Sequence, residues 1–282
     1  MTREDHYVLG HSAREIKRLT LQARLIDPIT RQFFSEAGVV VGMKVLDVGC
    51  GAGDVSFLLA DLVGDTGMVL GVDTASTAIG EARRRANTRS LRNVTFDEGD
   101  PSEMVFQQRF DAVVGRYILM FQRNPTTMVQ KLATHVRPNG LIAFHEGDWE
   151  AARSFPQAQT YDQCCRWIVD SVRSSGADPQ MGLKLHSTFV GAGLSPPSMR
   201  LESVIGGAGI SGRAEIGVDR VGLLLEIVAE VIRTLLPQIE RLGLAAGTEI
   251  DVDTLVMRMH DEIVTRGSII VGRSEICAWA RL

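Results

Sequence analysis

The run Val45-Leu46-Asp47-Val48-Gly49-Cys50-Gly51-Ala52-Gly53-Asp54-Val55-Ser56 constrains this chain more than any other stretch. Val45 to Val48 are apolar or β-branched apart from one acid, which predicts a strand buried on both faces. Asp54 to Leu62 has the composition of a helix start followed by an apolar stripe. Between them lies a turn of glycines at 49, 51 and 53. Glycine has no Cβ to hold a ligand off the backbone and reaches dihedrals closed to other residues. Such a turn can press its amides against something flat or anionic.

Three details narrow the ligand. The lysine and hydroxyl of a phosphate-cradling loop are missing, since Gly-x-x-x-x-Gly-Lys-Ser/Thr aligns nowhere in the chain. The dinucleotide fingerprint wants a third glycine three positions after the second, and Asp54 stands there, an acid where a pyrophosphate would rest. Asp47, two residues before the first glycine, suits a cationic ligand such as a sulfonium. The charges point to S-adenosylmethionine.

Val-Leu-Asp-Val-Gly-Cys-Gly-Ala-Gly resembles the first motif of class I S-adenosylmethionine-dependent methyltransferases, especially the small-molecule group similar to quinone-biosynthesis enzymes. The resemblance covers residues 1 to 150 well and the remainder in outline. It implies a Rossmann-like, doubly wound α/β sheet of seven strands, the last antiparallel between the fifth and sixth. It also implies an N-terminal helical lid over residues 1–38, a cofactor-binding core over 39–212 with a helical segment at 150–180, a helical substrate cover over 213–267, and a final core strand over 268–282.

Composition agrees with an ordinary globular chain. Hydrophobic residues make up 45% and charged residues 23% of 282, with no bias towards disorder. A net charge of −4 gives no general electrostatic attraction to nucleic acid. The cysteines at 50, 164, 165 and 277 have no Cys-x-x-Cys spacing, so neither a zinc site nor a disulfide framework is implied. The polar start and the lack of a long apolar run make the cytoplasm the expected location, without membrane insertion. A homodimer is left open.

Taken in order, Ser12 to Ile26 reads as an amphipathic helix, with Ser12 and Glu15 as a capping box. Pro28 is expected to start a second helix, which Gly38 ends. From these lid helices Tyr7 and Gln22 are candidates for the cofactor, and His11 for the substrate. Gly67 to Asp73 reads as the second strand, and Asp73 falls 73 − 53 = 20 residues after the last glycine. A carboxylate there can accept both ribose hydroxyls, with Thr74 beside it. The three arginines 83–85 read as a solvated helix end.

Asn93 to Phe96 gives a third strand, and Asp100 matches the family position that takes the adenine amine, with Pro101 beside the ring. Phe110 to Gly115 is the fourth strand, after which Gly115 and Arg116 are expected beside the methionine moiety. A helix from Pro125 to Val136 is expected to stop at Arg137-Pro138-Asn139-Gly140 before the fifth strand. That strand, Leu141 to Glu146, delivers polar groups where an open parallel sheet binds ligands. His145 and Glu146 are the catalytic candidates, His145 because an imidazole suits proton removal near neutrality. Tyr117 and Trp149 are substrate candidates. Glu146 and Asp148 have too few neighbours to favour a metal.

Beyond residue 150, helices are expected at Phe155 to Ser174, Met181 to Ala192, Ala214 to Leu242 and Val252 to Thr265, and strands at Met199 to Gly206 and Ser268 to Ala280. The activity these readings imply is methyl transfer from S-adenosyl-L-methionine to a small, partly apolar acceptor through an oxygen, nitrogen or carbon nucleophile. The alternative is a relative that keeps the cofactor but works as an isomerase or cyclase, or only as a binding subunit.

Overall fold

The computed structural model describes residues 13–207 and 220–282, with side chains from residue 21 onward. Its strands are β1 (Lys44–Val48), β2 (Met68–Asp73), β3 (Val94–Glu98), β4 (Phe110–Arg116), β5 (Val136–Asp148), β6 (Arg153–Phe155), β7 (Ser198–Gly207) and β8 (Ile269–Arg281). The helices are α1 (Ala13–Ala37), α2 (Asp54–Val63), α3 (Ser76–Thr88), α4 (Pro125–Ala133), α5 (Gln159–Ser174), α6 (Met181–Gly191), α7 (Arg220–Arg241), α8 (Gly247–Ile250) and α9 (Leu255–Arg266). The described strands form one sheet in the order β3-β2-β1-β4-β5-β8-β6, with β7 also paired to β8. β1 to β5 pair in parallel, whereas β8 runs antiparallel to β6. This is the doubly wound, Rossmann-like sheet with a reversed last strand that the sequence led us to expect.

The sheet has eight strands rather than seven. Arg153–Phe155 forms a short strand where a helix was expected to begin at Phe155. A residue that precedes proline is driven towards extended backbone, and Phe155 precedes Pro156.

Three other boundaries also move. α1 is one continuous helix that carries Pro28 inside it, not two helices; the buried side chains Leu25, Ile26, Ile29, Phe33 and Phe34 hold its course across the missing amide. The segment Arg116 to Phe121, which reads in the sequence as departing into the next helix, makes only a short 3-10 turn, Leu119–Phe121. α4 then starts at Pro125 under an Asn124 cap, whose Oδ1 accepts from the Thr127 amide at 3.0 Å. α4 ends at Ala133, and the Arg137–Gly140 segment lies within β5. There Asn139 adopts φ +61°, and the β4–β5 register slips between Phe110 and Ala112.

The chain divides into two compact units. One comprises Ile26–Glu146, Met181–Leu201 and Ile276–Leu282. Its core gathers Leu46, Val48, Val113, Leu119, Leu132, Ile142, Phe144, Leu185 and Phe189, all essentially inaccessible to water. Each such side chain contributes about 1.5–3 kcal/mol by leaving water. The parallel strands read as near-continuous apolar runs because helices cover both of their faces. Asp47 is the exception among the buried residues of β1.

The other unit comprises Met1–Leu25, Gly147–Gln180 and Glu202–Glu275. In it α5 packs on α7 and α9, burying Tyr161, Cys164, Cys165, Ile168, Leu225, Val228, Ile232, Leu235, Met259 and Ile263. The Tyr161 hydroxyl donates to the Val271 carbonyl at 2.9 Å, which fixes α5 against β8. The first turn of α5 has no side-chain cap of its own. Its Gln159 and Thr160 amides instead donate to the two oxygens of Glu262 from α9, at 2.8 and 2.9 Å.

Candidate functional site: a glycine turn with acids at the strand ends

The site is built at the carboxyl ends of β1, β2, β4 and β5. As β1 ends, the Gly49 and Cys50 amides donate to the Val72 carbonyl at 2.8 and 3.1 Å, and the Gly53 amide closes the turn onto the Cys50 carbonyl at 3.0 Å. The three glycines serve different ends. A Cβ on Gly49 would lie 2.3 Å from Ile118, and one on Gly53 would lie 2.9–3.0 Å from Phe57 and Phe96, so both permit close packing. Gly51, at φ +53°, has no atom within 4 Å of that position. Its bare backbone faces open space.

Asp73 stands at the rim of that opening. Its Oδ2 accepts from the Gly51 amide at 2.8 Å and its Oδ1 from the Ala75 amide at 2.9 Å. Each carboxylate oxygen keeps acceptor capacity for a further donor. Thr74 is exposed beside it. Asp47 lies beneath, fully buried, with the Ser56 hydroxyl donating to its Oδ2 at 2.6 Å. Burial pushes its carboxyl up to about 7, against the Ser56 hydrogen bond and the charge of Arg116, and with Asp73 and Asp54 adding to the rise. An open glycine face beside two acids fits a cationic nucleoside.

Behind the turn, α3 supplies a clasp. Arg85 donates to the Ala52 carbonyl at 2.7 Å and to Asp54 Oδ1 at 2.6 Å, and its guanidinium lies 5.2 Å from the centre of the Phe57 ring. The arginine run is therefore not a uniformly solvated helix end. Arg83, though exposed, also donates to the Phe96 carbonyl, while Arg84 pairs with Glu81 at the surface. Asp54, an acid that weighed against a pyrophosphate in the sequence, carries its own counter-ion.

At the end of β4, Gly115 has no room for a side chain. A Cβ there would meet Ile118, Phe144 and Val48 at 2.8–3.0 Å. Arg116 is held by α1: one nitrogen, Nη1, donates to Asp27 Oδ1 at 2.8 Å and to the Thr30 hydroxyl at 2.9 Å. Burial raises the Asp27 pKa above its ordinary value, and Arg116 opposes that rise.

Tyr117 follows at φ +56°, a left-handed conformation that is costly for an aromatic residue and that concentrates at functional sites. Its amide donates to the His145 carbonyl at 2.9 Å, and its ring lies 5.3 Å from the His145 ring. The next two amides, of Ile118 and Leu119, both donate to Glu146 Oε1, at 2.9 and 2.7 Å. One oxygen of Glu146 thus anchors the turn that presents Tyr117. His145 is fully buried, with Nδ1 3.2 Å from the Thr30 hydroxyl and the Phe33 ring edge-on at 4.9 Å.

After β3, Asp100 folds its own loop. Its Oδ1 accepts from the amide and hydroxyl of Ser102 at 3.0 and 2.8 Å. Pro101 is buried, and His135 donates from Nε2 to its carbonyl at 3.1 Å.

One compact unit thus brings together Asp47, Gly49, Cys50, Gly51, Gly53, Asp73, Thr74, Asp100, Pro101, Gly115, Arg116, Tyr117, His145 and Glu146. Gln22, buried on α1, and Trp149 belong to the other. There the Trp149 amide donates to the Pro179 carbonyl at 2.9 Å, and the Arg273 guanidinium lies 4.7 Å from the centre of the indole ring. Tyr7 and His11 lie outside the described residues. Ser56, Asp27, Thr30 and Arg85 escaped the sequence reading. Asp27, Thr30 and Phe34 share one face of α1 at helical spacing, a polar pair amid apolar neighbours that could have flagged them.

What these elements define is an α/β protein that cradles a nucleoside cofactor at the crevice of a doubly wound sheet. Residues 40–186, over half of the chain, match a family described as a methyltransferase domain. The chain belongs to that family, and its cofactor is S-adenosyl-L-methionine.

Among curated relatives, the chain is 35% identical over 125 residues to aklanonic acid methyltransferase DauC of Streptomyces sp. strain C5, covering 44% of this chain and 57% of that one. It is 28% identical over 162 residues to the 2-phytyl-1,4-naphtoquinone methyltransferase of Nostoc sp. strain PCC 7120, covering 56% and 66%. It thus spans between half and two thirds of the length of these relatives. Among solved structures, the cyclase SpnF superposes with a TM-score of 0.54 at 17% identity, over 89% of this chain and 80% of that one, which shows a shared fold. No described helix is long and apolar enough to cross a membrane.

Proposed function

We propose that this chain transfers a methyl group from S-adenosylmethionine to a small, partly apolar organic acceptor. The observation that carries the reading is the open face of Gly51 beside Asp73, with Asp47 buried below. When bound, the cofactor supplies a sulfonium methyl activated for in-line displacement. Gly51 offers it backbone without a side chain in the way. Asp73 accepts the ribose hydroxyls, Asp100 and Pro101 flank the base, and ionised Asp47 balances the cation. Thr74, Cys50, Gly115 and Arg116 complete the surroundings, together with Tyr7 and Gln22 of the lid.

His145 is the group we assign to remove the acceptor's proton, and its burial keeps competing water away from the imidazole. Glu146 supports it by fixing the turn that carries Tyr117, and His11, Tyr117 and Trp149 are the residues we assign to the acceptor. Holding the two reactants aligned supplies much of the acceleration, with effective molarities on the order of 10⁵–10⁸ M for well-oriented partners. The relatives named for aklanonic acid and a naphthoquinone make fused-ring phenols and quinols the first acceptors to try.

The same reading extends to a cytoplasmic enzyme, a candidate homodimer, that acts on small molecules and not on nucleic acid. It assigns residues 1–38 to a lid and 213–267 to acceptor selection. Calorimetry with S-adenosylmethionine and S-adenosylhomocysteine should give heat where NADH and ATP give none. Incubation with a panel of phenols and quinols should then yield one S-adenosylhomocysteine per methylated product. Binding with an altered acceptor but no S-adenosylhomocysteine would instead mark an isomerase or cyclase.

A further inference from the structure

Thr30 is buried in the middle of α1, and its hydroxyl has three partners. It lies 3.0 Å from the Ile26 carbonyl, 2.9 Å from Arg116 Nη1 and 3.2 Å from His145 Nδ1. A hydroxyl has one proton to give and two lone pairs to receive with. Two of the partners have fixed roles. The carbonyl can only accept, and the guanidinium can only donate. A threonine within a helix habitually gives its proton to the carbonyl four residues earlier, which here is Ile26. The remaining lone pair then faces His145 Nδ1, so Nδ1 must carry a proton.

We propose that Thr30 is the positioning residue that sets the tautomer of His145, holding the proton on Nδ1 and leaving the lone pair on Nε2. The inference rests on the assignment of His145 as the base and deepens it, because only a lone pair can take a proton. Arg116 reinforces the arrangement. Its charge, fixed by Asp27, donates to the same oxygen, so a second cation on the imidazole would face it across one atom. The Phe33 ring, edge-on at 4.9 Å, and the Tyr117 ring at 5.3 Å limit rotation of the imidazole out of this bond. Thr30 touches no reacting atom. It acts through the imidazole and through Arg116.

Nitrogen-15 NMR of the full chain, with His145→Asn for assignment, reads the two ring nitrogens directly and needs no acceptor. The wild type should show Nδ1 protonated and Nε2 unprotonated. Thr30→Ser keeps the hydroxyl and should keep that spectrum and the turnover. Thr30→Val keeps the shape, and should shift the population about tenfold towards the Nε2-protonated form. Its kcat should fall by a similar factor, a larger change than that in KM for the methyl donor. A wild-type spectrum with the proton on Nε2 overturns the proposal even if Thr30→Val does not fold, and so does a Thr30→Val spectrum matching the wild type. Full activity in His145→Asn would refute the base assignment itself, a failure distinct from that of the Thr30 tautomer role.

Discussion

A buried acid under a cation site makes cofactor affinity a function of pH. Asp47 has its carboxyl raised to about 7, chiefly by burial. Between the ordinary value of 3.8 and about 7, the folded chain holds a proton that the unfolded chain has lost. Stability therefore falls as pH rises through that window. A sulfonium beside Asp47 favours the ionised form, so binding releases a proton, and affinity for S-adenosylmethionine should climb as pH rises towards about 7 and level off above it. Titrations in buffers of different ionisation enthalpy would detect the released proton. Asp47→Asn should flatten the dependence and weaken S-adenosylmethionine about tenfold at pH 8, with less effect on the uncharged product.

Arg85 belongs to the same scale. Arg85→Ala removes two bonds to the back of the glycine turn and should raise KM for the cofactor several-fold while leaving kcat near the wild-type value, as steady-state kinetics would show. The motif residues were legible in the sequence because glycine and acid spacing is local. Arg85, Thr30 and Ser56 were not, because each meets its partner through a contact that only the folded chain creates.

At the scale of elements, the strands and helices of the parallel half were legible from apolar runs and glycine stops. Errors arose where two rules competed. Pro28 argues for a helix start, yet five buried side chains carry α1 past it. Arg137-Pro138-Asn139-Gly140 reads as a turn, yet sheet pairing draws it into β5. One element also depends on a distant residue for its start. The first turn of α5 is capped by Glu262 of α9. Burial opposes the Glu262 charge, but the Thr160 hydroxyl, the two amides and Arg266 outweigh it and hold its pKa below 4.5. Its stabilisation is present above that value and is lost as pH falls through the lower folded value. Glu262→Gln should cost about 1 kcal/mol at pH 7, and thermal melts should show the gap closing as the pH drops below 4.5.

At the scale of the whole chain, a ligand that binds only the folded state raises its stability by mass action. S-adenosylmethionine at a hundred times its Kd should contribute about 2.7 kcal/mol and lift Tm by about 5–10 °C, where NADH lifts it not at all. Differential scanning fluorimetry reads this directly. The boundary between the two compact units falls inside β5 and β8, so neither unit is a continuous length of chain. The seven residues Ile276–Leu282 belong to the unit that carries the glycine turn, and Leu282 exchanges backbone hydrogen bonds with Asn139 and Gly140 at the start of β5. During synthesis on a ribosome, β5 therefore leaves the exit tunnel on the order of ten seconds before its neighbour β8 has been translated. For that interval the edge of β5 that β8 later covers stands open, an aggregation-prone state that the finished molecule never presents.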